Sequence, residues 1–132
     1  MEPDRTENYN KKMNKEKNRQ FETGAQRDSG DGKLRMSLMP QQEIKRVMKR
    51  YLDGAEKYGE NNWMKGMPLS VYYDCIHRHL EEWWRGNWDD EDHAAAVVWN
   101  MLCAMYTERK SHEADAFPKE KQLDDRVKYP KD

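Results

Sequence analysis

Apolar residues are concentrated in one stretch of this chain, from Ile44 to Tyr106, and this stretch holds all five tryptophans. Charged residues make up 37% of the 132 positions and hydrophobic residues only 36%, with a mean hydropathy of −1.34. A chain this polar folds only if its apolar residues are gathered into one core. We therefore expect a single domain over residues 21–106, with a disordered tail at 1–20 and a polar tail at 107–132.

Within the central stretch, apolar residues recur at three- and four-residue steps, which is the spacing of one helix face. The first predicted helix covers about 41–58, between Pro40 and Gly59, residues that suit a helix start and stop. The second covers about 70–85, with Ser70 as its expected N-cap. The pattern therefore indicates helices rather than strands.

A third helix is predicted over about 90–107, because an acidic run suits the positive end of a helix dipole. This helix is apolar nearly all round, so we expect it to be central. Residues 21–40 alternate in part and are expected to form an extended arm. The fold class is therefore all-α, a small bundle completed by oligomerisation, since three helices alone bury little surface.

Charge and cysteine content exclude several kinds of protein. Lysine and arginine number 24 against 25 acidic residues, and the net charge of −1 gives no overall attraction to nucleic acid or membranes. No apolar run of membrane-spanning length and no signal peptide is present, so we expect a cytoplasmic protein. Cys75 and Cys103 fall on predicted helix faces and are expected to stay reduced.

The loop after the first helix is unusually rich in directed hydrogen-bonding groups. The segment GAEKYGENNWMKG, residues 54–66, ends a helix at a lysine, a tyrosine and a glycine and then places two asparagines, a tryptophan and a lysine together. Polar turns are common, so a plain connecting loop is the alternative to a ligand-binding one.

Ionisable and polar side chains interrupt the apolar faces of the second and third helices. His79 lies within the apolar stripe with Glu82 nearby, and His93 and Asn100 share one face of the third helix. Buried polar groups need partners, so we expect Asn100 to bond a neighbouring helix, a second subunit or a ligand. A polar core network that fixes helix register is the alternative interpretation.

Carboxylates cluster near the junction of these two helices, with Glu81 and Glu82 on one side and Asp89 to Asp92 on the other. Such a cluster repels itself unless its carboxylates are protonated or a hard cation bridges them, and Mg²⁺ or Mn²⁺ is the expected cation. Helix capping is the alternative for the acidic run. Zinc is not favoured, because only Cys75 and His79 share a helix face and no paired cysteine motif is present.

Four motifs in this sequence resemble, in the same order and with similar spacing, those of a family of small phage proteins. The motifs are FETGAQRDSGDGKLRMSLMP, GAEKYGENNWMKGMP, RHLEEWW and DEDHAAAVVWN. That family is grouped with the dATP/dGTP diphosphohydrolases and is similar to the MazG-type all-α nucleotide pyrophosphohydrolases. The resemblance covers about residues 21–106.

The resemblance implies a MazG-like bundle, working as a homodimer or homotetramer, in the bacterial host cytoplasm if the chain comes from a phage. It implies Mg²⁺- or Mn²⁺-dependent hydrolysis of a (deoxy)nucleoside triphosphate, a dATP- or dGTP-like purine, to monophosphate and pyrophosphate. In the MazG group an ExxE pair and an ExxD pair hold the metal, and an asparagine follows seven residues later. Asn100 fits that asparagine, which places Asp90 and His93 at the second pair, whereas the first pair has no clean counterpart.

The residue roles implied in this way fall into three groups. Glu82, Asp90 and Asp92 are the expected metal ligands. His79 and His93 are the expected catalytic residues, which position the attacking water or a ligand. The expected nucleotide-binding residues, with lysines and arginines on phosphates and Trp63 stacking on the base or enclosing it, are Lys57, Asn62, Trp63, Lys65, Asn100, Arg27, Lys33 and Arg35.

Two other functions remain open at this point. The missing ExxE pair favours a non-catalytic protein that binds and sequesters a nucleotide. The tryptophans and methionines also allow a helical adaptor that docks a partner protein.

Overall fold

The computed structural model describes three ranges of the chain, residues 18–88, 90–113 and 123–127. The chain divides into two compact units, Met1–Met39 and Pro40–Asp132, and each is described by itself. The second unit carries three long helices, which confirms the predicted all-α class. None of the helices in the described ranges combines the length and apolar character needed to cross a bilayer.

The N-terminal unit contains a small hairpin where the sequence predicted the end of a disordered tail. Strands β1 (Arg19–Gln20) and β2 (Gln26–Arg27) pair antiparallel. The turn between them includes Gly24 at φ +88°, a backbone conformation that residues with a Cβ rarely adopt. A short 3-10 helix follows at Met36–Leu38. Residues 1–17 of the predicted tail lie outside the described residues.

The first long helix, α1 (Gln41–Tyr58), has the bounds that its sequence pattern predicts. Pro40 precedes it, and Gly59 ends it with a backbone N–H that donates to the Ala55 carbonyl at 2.9 Å. Gly59 adopts φ +93°, which turns the chain away from the helix axis into the loop that follows.

The second helix, α2 (Leu69–Trp84), is capped from a distant part of the chain, and the predicted N-cap role of Ser70 is wrong. Pro68 occupies the N-cap position and provides no side-chain hydrogen bond. The first free N–H of the helix instead donates to the Leu123 carbonyl at 2.8 Å. The next N–H donates to the Asp125 carboxylate at 2.9 Å, and that carboxylate also accepts from the Ser70 hydroxyl. These contacts satisfy N–H groups that every helix start leaves without intrahelical partners.

The predicted polar tail over 107–132 is therefore ordered in two places. The last helix continues to Ser111, and Leu123 is buried beside the start of α2. Residues 114–122 and 128–132 lie outside the described part of the chain.

The third helix, α3 (His93–Ser111), begins later than the predicted residue 90. Asp92 is its N-cap, with a carboxylate that accepts from the Ala95 N–H at 3.1 Å. The helix packs against both α1 and α2 and contributes most of the buried positions, which confirms that it is central. On its outer side Met101 and Met105 are about half exposed.

The core of the helical unit lies between α2 and α3. Its buried cluster and the partly buried aromatic residues packed on it are Leu69, Tyr72, Cys103, Ala104, Tyr51, Trp63 and Trp99. The Tyr72 hydroxyl and the fully buried Thr107 hydroxyl form a hydrogen bond of 3.1 Å inside this core. Cys75 and Cys103 are both free thiols, as predicted.

Candidate functional site

A cleft of about 1020 Å³ opens in the helical unit and collects most of the residues that the sequence singled out. The end of α1, the loop over residues 59–67, and parts of α2 and α3 form its walls. Asp90 and Glu91 line it from the segment before α3. A concave site of this size, with both aromatic walls and charged groups, is the usual form of a small-molecule site.

The polar loop after α1 is held in place by its tryptophan. A 3-10 helix at Asn62–Lys65 starts from Asn61, whose φ of 62° is a left-handed conformation that asparagine tolerates. Trp63 packs edge-on against Tyr51 and Tyr106, with ring centroids 5.6 and 4.9 Å apart. These contacts anchor the loop on the core, so its polar side chains are presented at the cleft.

The four predicted nucleotide-binding residues of this loop region, Lys57, Asn62, Trp63 and Lys65, all line the cleft. Trp63 is half-buried and packed on the core, which suits the role of a wall. That these residues bind a nucleotide stays a prediction. Trp63 fixes the loop on the core beside the cleft, an arrangement that both a connecting loop and a ligand-binding loop allow.

His79 of α2 and His93 of α3, the two predicted catalytic residues, are in direct contact. Their Nδ1 atoms lie 2.9 Å apart, a hydrogen-bond distance, so one ring donates and the other accepts. The side chains are 16% and 5% exposed, respectively. Burial lowers the pKa of His79 below its usual value, although the Glu91 carboxylate opposes that effect. The tertiary fold thus joins two histidines that lie fourteen residues apart in sequence.

Glu91 completes this group from the segment before α3. Its Oε2 lies 4.0 Å from His79 Nδ1 and 3.9 Å from His93 Nδ1. Its Oε1 lies 3.7 Å from the Arg50 guanidinium, and that guanidinium sits 5.6 Å from the centre of the Trp99 ring. The carboxylate therefore lies between an arginine on one side and two imidazoles on the other.

Among the described residues, His79, Glu91 and His93 form the group of ligand-type side chains close enough to hold a metal ion. Their potential ligand atoms all lie within 4.8 Å of one another. Cys75, which the sequence paired with His79 in a disfavoured zinc site, does not take part. We call these three residues the His–Glu–His cluster.

The three predicted metal ligands, Glu82, Asp90 and Asp92, do not form such a group in the described part of the chain. Asp92 accepts two hydrogen bonds from Arg46, at 2.6 and 2.7 Å, besides capping α3. Glu82 accepts from the Asn87 side-chain amide. Asp90 alone of the three lines the cleft. The geometry thus favours structural roles for two of these carboxylates.

Asn100 is buried, and its amide donates to the Ala96 carbonyl of its own helix at 2.9 Å. The sequence led us to expect a bond to a neighbouring helix, a subunit or a ligand, and this bond runs within α3 instead. The side chain also lines the cleft, so its predicted role toward a nucleotide stays a prediction.

Three further predicted phosphate ligands, Arg27, Lys33 and Arg35, belong to the N-terminal unit. Arg27 lies in β2, and Arg35 donates to the Ser37 hydroxyl at 3.4 Å. Their predicted contact with phosphate stays a prediction.

Arg50 and Glu91 are the residues that sequence reasoning missed. Glu91 was included in an acidic run that capping explained, and Arg50 sits on the edge of an apolar helix face. The sequence did contain a signal for Arg50. It lies three positions after Val47 and directly before Tyr51, so helix geometry places it beside the core-facing stripe of α1. No comparable signal distinguishes Glu91 from its acidic neighbours, because only the packing of α2 and α3 brings it to the histidines.

Comparison with known proteins identifies a matching family. A family model described as dATP/dGTP diphosphohydrolase, N-terminal, matches residues 23–117, a range that contains all three long helices. No curated protein and no solved structure matches the chain.

Proposed function

The chain belongs to the family described as dATP/dGTP diphosphohydrolase, N-terminal, and from this premise we propose that it hydrolyses a purine deoxynucleoside triphosphate. The products are a monophosphate and pyrophosphate. The observation that carries the proposal is the cleft, which combines Lys57, Lys65 and Asn62 with His79 and Asn100. Phosphate-binding cations, a polar group for a base and a candidate catalytic group thus share one site.

The cleft carries three cationic side chains that can meet the phosphates of a nucleotide, alongside four carboxylates, those of Asp53, Glu60, Asp90 and Glu91. Lys57 lies in the last turn of α1 and Lys65 within the polar loop; both residues are exposed, and lysine ammonium groups meet phosphates as mobile point charges. Arg50 also lines the cleft and brings a third cation close to Glu91. Trp63 and Tyr51 supply an aromatic wall against which a purine ring packs.

Mg²⁺ or Mn²⁺ is the cofactor predicted from the sequence, and the predicted ligands fit it poorly. Mg²⁺ prefers oxygen ligands, but Asp92 is held by Arg46 and Glu82 by Asn87. Asp90 is left as the predicted carboxylate that faces the cleft. We therefore assign no reaction step to a metal held by these three carboxylates. In this proposal His79, which lines the cleft, and His93, which contacts His79, position the attacking water or a ligand.

A second candidate function is nucleotide binding without turnover. The observation in its favour is the same engagement of Glu82 and Asp92, which leaves the predicted carboxylate set unassembled. Such a protein would use the same lysines and aromatic wall to retain an intact nucleotide.

We also propose that the protein works as a homodimer or homotetramer. The support is the outer side of α3, where Val98, Met101, Leu102 and Met105 are each 41% to 52% exposed. A run of exposed apolar residues on one helix is typical of a surface that packs on a second chain. Light scattering on the purified protein measures the assembly directly, and a monomer at micromolar concentration would contradict this proposal.

The test of function is incubation of the purified protein with Mg²⁺ or Mn²⁺ and a panel of ribo- and deoxynucleoside triphosphates, followed by anion-exchange separation. We expect equal amounts of monophosphate and pyrophosphate, formed fastest from dATP or dGTP. Nucleotide recovered intact but bound would establish the second candidate instead. Absence of both turnover and binding would refute the two proposals and favour the helical adaptor.

A matched pair of variants links the activity to this cleft. Lys65→Ala removes a cleft cation, and Lys110→Ala removes a cation of α3 that pairs with Glu113 and does not line the cleft. We expect a raised KM only in the first. Equal effects of the two substitutions would place the nucleotide elsewhere.

A further inference from the structure

We propose that the His–Glu–His cluster is a binding site for a divalent transition-metal ion of the Zn²⁺ or Co²⁺ type. The sequence assigned metal to the carboxylates Glu82, Asp90 and Asp92, and the matched family description mentions no metal. The inference rests on donor atoms and their separations, so it stands independently of the proposed hydrolysis.

The separations between the donor atoms are compatible with one shared ion. Bonds from zinc to nitrogen or oxygen are about 2.0–2.2 Å, so two ligands of one ion lie at most about 4.4 Å apart, twice the longer bond. The three separations are 2.9 Å between His79 Nδ1 and His93 Nδ1, and 4.0 and 3.9 Å from these atoms to Glu91 Oε2. All three fall within that limit, and a tetrahedral ion, which spaces its ligands by about 3.3–3.6 Å, requires side-chain shifts of a few tenths of an ångström.

The contact between the two imidazoles supports this assignment. Two neutral imidazoles in a hydrogen bond place one proton between their Nδ1 atoms, and the metal replaces that proton. The donating ring then carries its proton on Nε2, so both rings coordinate as neutral ligands and no net proton is lost. A metal site requires two lone pairs directed at one point, and this pair of histidines reaches that state once the donating ring has moved its proton from Nδ1 to Nε2.

The charge around the cluster combines one carboxylate, Glu91, which favours a cation, with two guanidinium groups, Arg50 and Arg78, which oppose a positive charge at His79. Glu91 supplies one negative charge on the side of the histidines, while its other oxygen lies 3.7 Å from Arg50. A partner of this kind orients a ligating carboxylate, as outer groups do in known metal sites. The histidines are largely buried, but Glu91 is 49% exposed and lines the cleft with His79. Three protein ligands and an open side are the arrangement of catalytic rather than structural metal sites.

The donor set determines which ions bind. Imidazole suits zinc, cobalt and nickel, whereas Mg²⁺ demands oxygen ligands and retains its water. We therefore expect affinity to follow the order Zn²⁺ above Co²⁺ above Mn²⁺, with Mg²⁺ far weaker.

Cobalt titration of the full-length, chelator-treated protein tests the proposal without any nucleotide. Co²⁺ bound through two imidazoles and a carboxylate produces visible d–d absorption bands, and we expect saturation at one ion per chain. Zn²⁺ is expected to abolish the bands, and a large excess of Mg²⁺ is expected to leave them unchanged. A native protein that produces no bands and takes up no Zn²⁺ in calorimetry overturns the proposal.

Two ligand variants and two controls make the result specific. Glu91→Gln changes an exposed residue and His79→Gln a partly buried one, and each is expected to lower Co²⁺ affinity by at least about tenfold. His77→Ala and Glu81→Gln alter exposed residues of α2 and are expected to retain native affinity. Bands that persist in both ligand variants, or disappear in the controls, overturn the assignment. Because the readout is metal uptake, absence of nucleotide hydrolysis would contradict the proposed function and leave this proposal intact.

Discussion

Asp92 is the residue at which the sequence and the structure lead to different expectations. Its place in the acidic run predicts a metal ligand, whereas the structure engages it as the N-cap of α3 and as the partner of Arg46. Replacement of Asp92 by alanine removes both contacts, so we expect a loss of stability. Replacement by asparagine retains the cap, because asparagine caps helices as well as aspartate does, and removes only the charge pair.

The expected magnitudes follow from these contacts. Loss of an N-cap costs about 1 kcal/mol. The Arg46 pair is bidentate, but its side chains are 41% and 28% exposed, and such a pair contributes about 0.5 kcal/mol. Asp92→Ala should therefore cost about 1.5 kcal/mol and lower Tm by about 6–12 °C, and Asp92→Asn by about 2–4 °C.

The pH dependence provides an independent check on the charge pair. The hydrogen bond from Arg46 is the main cause that holds the pKa of Asp92 below its usual value. A group with a lowered folded-state pKa contributes stability that is present above its unfolded pKa and is lost as pH falls through the folded one. The Tm difference between the native protein and Asp92→Asn should therefore be constant near neutral pH and should shrink in acid.

Thermal unfolding followed by circular dichroism measures these effects, with Asp90→Ala as the matched control. Asp90 is exposed and lies two residues earlier, outside the cap, so we expect it to have a much smaller effect on Tm. The reasoning is refuted if Asp92→Ala leaves Tm unchanged while both Asp92 variants abolish metal uptake. That result would restore the metal-ligand role that the acidic run predicts.

Three further predictions follow from individual contacts. Thr107→Val removes the buried hydroxyl that pairs with Tyr72, whose oxygen keeps its contact with the Met67 backbone, and should cost about 1 kcal/mol in chemical denaturation; a native-like value would contradict the hydrogen bond. Lys65→Ala should raise KM for the nucleotide with little change in kcat, whereas Lys110→Ala should change neither, and a lost kcat would indicate a role in the chemical step. Asp125→Ala removes the carboxylate that caps α2 and holds residues 123–127 against it, so we expect a lower Tm and faster proteolysis after residue 113. Unchanged proteolysis would mean that residues 123–127 dock without this carboxylate.

The helices were predictable because their signals are local. Spacing along α1, its proline and its terminal glycine lie within a few residues of one another, and the predicted bounds of about 41–58 match the observed Gln41–Tyr58. The start of α2 was not predictable in the same way. Its cap is supplied by Asp125, 55 residues from Ser70, and no periodicity in the sequence links these positions.

The candidate site was predictable in its composition and only partly in its arrangement. The sequence identified the polar loop, His79, His93 and Asn100, and each of these except His93 lines the cleft. It grouped Glu82 and Asp92 with a metal because clustered carboxylates repel, but the repulsion is relieved by Asn87 and Arg46 instead. Arg46 and Asn87 both lie outside the two acidic segments. Counting charges within those segments therefore did not identify Arg46 as the cation that pairs with Asp92.

The sequence by itself determined the three helices, the central place of α3 and the membership of the family, because helix periodicity and motif order are properties of neighbouring residues. Only the tertiary structure decided which ionisable groups meet. The Nδ1 contact of His79 with His93, and the position of Glu91 between them and Arg50, depend on how α1, α2 and α3 pack. A contact of a few ångströms between separate helices is set by the packing of whole side chains in the core, which residue spacing along one chain does not specify.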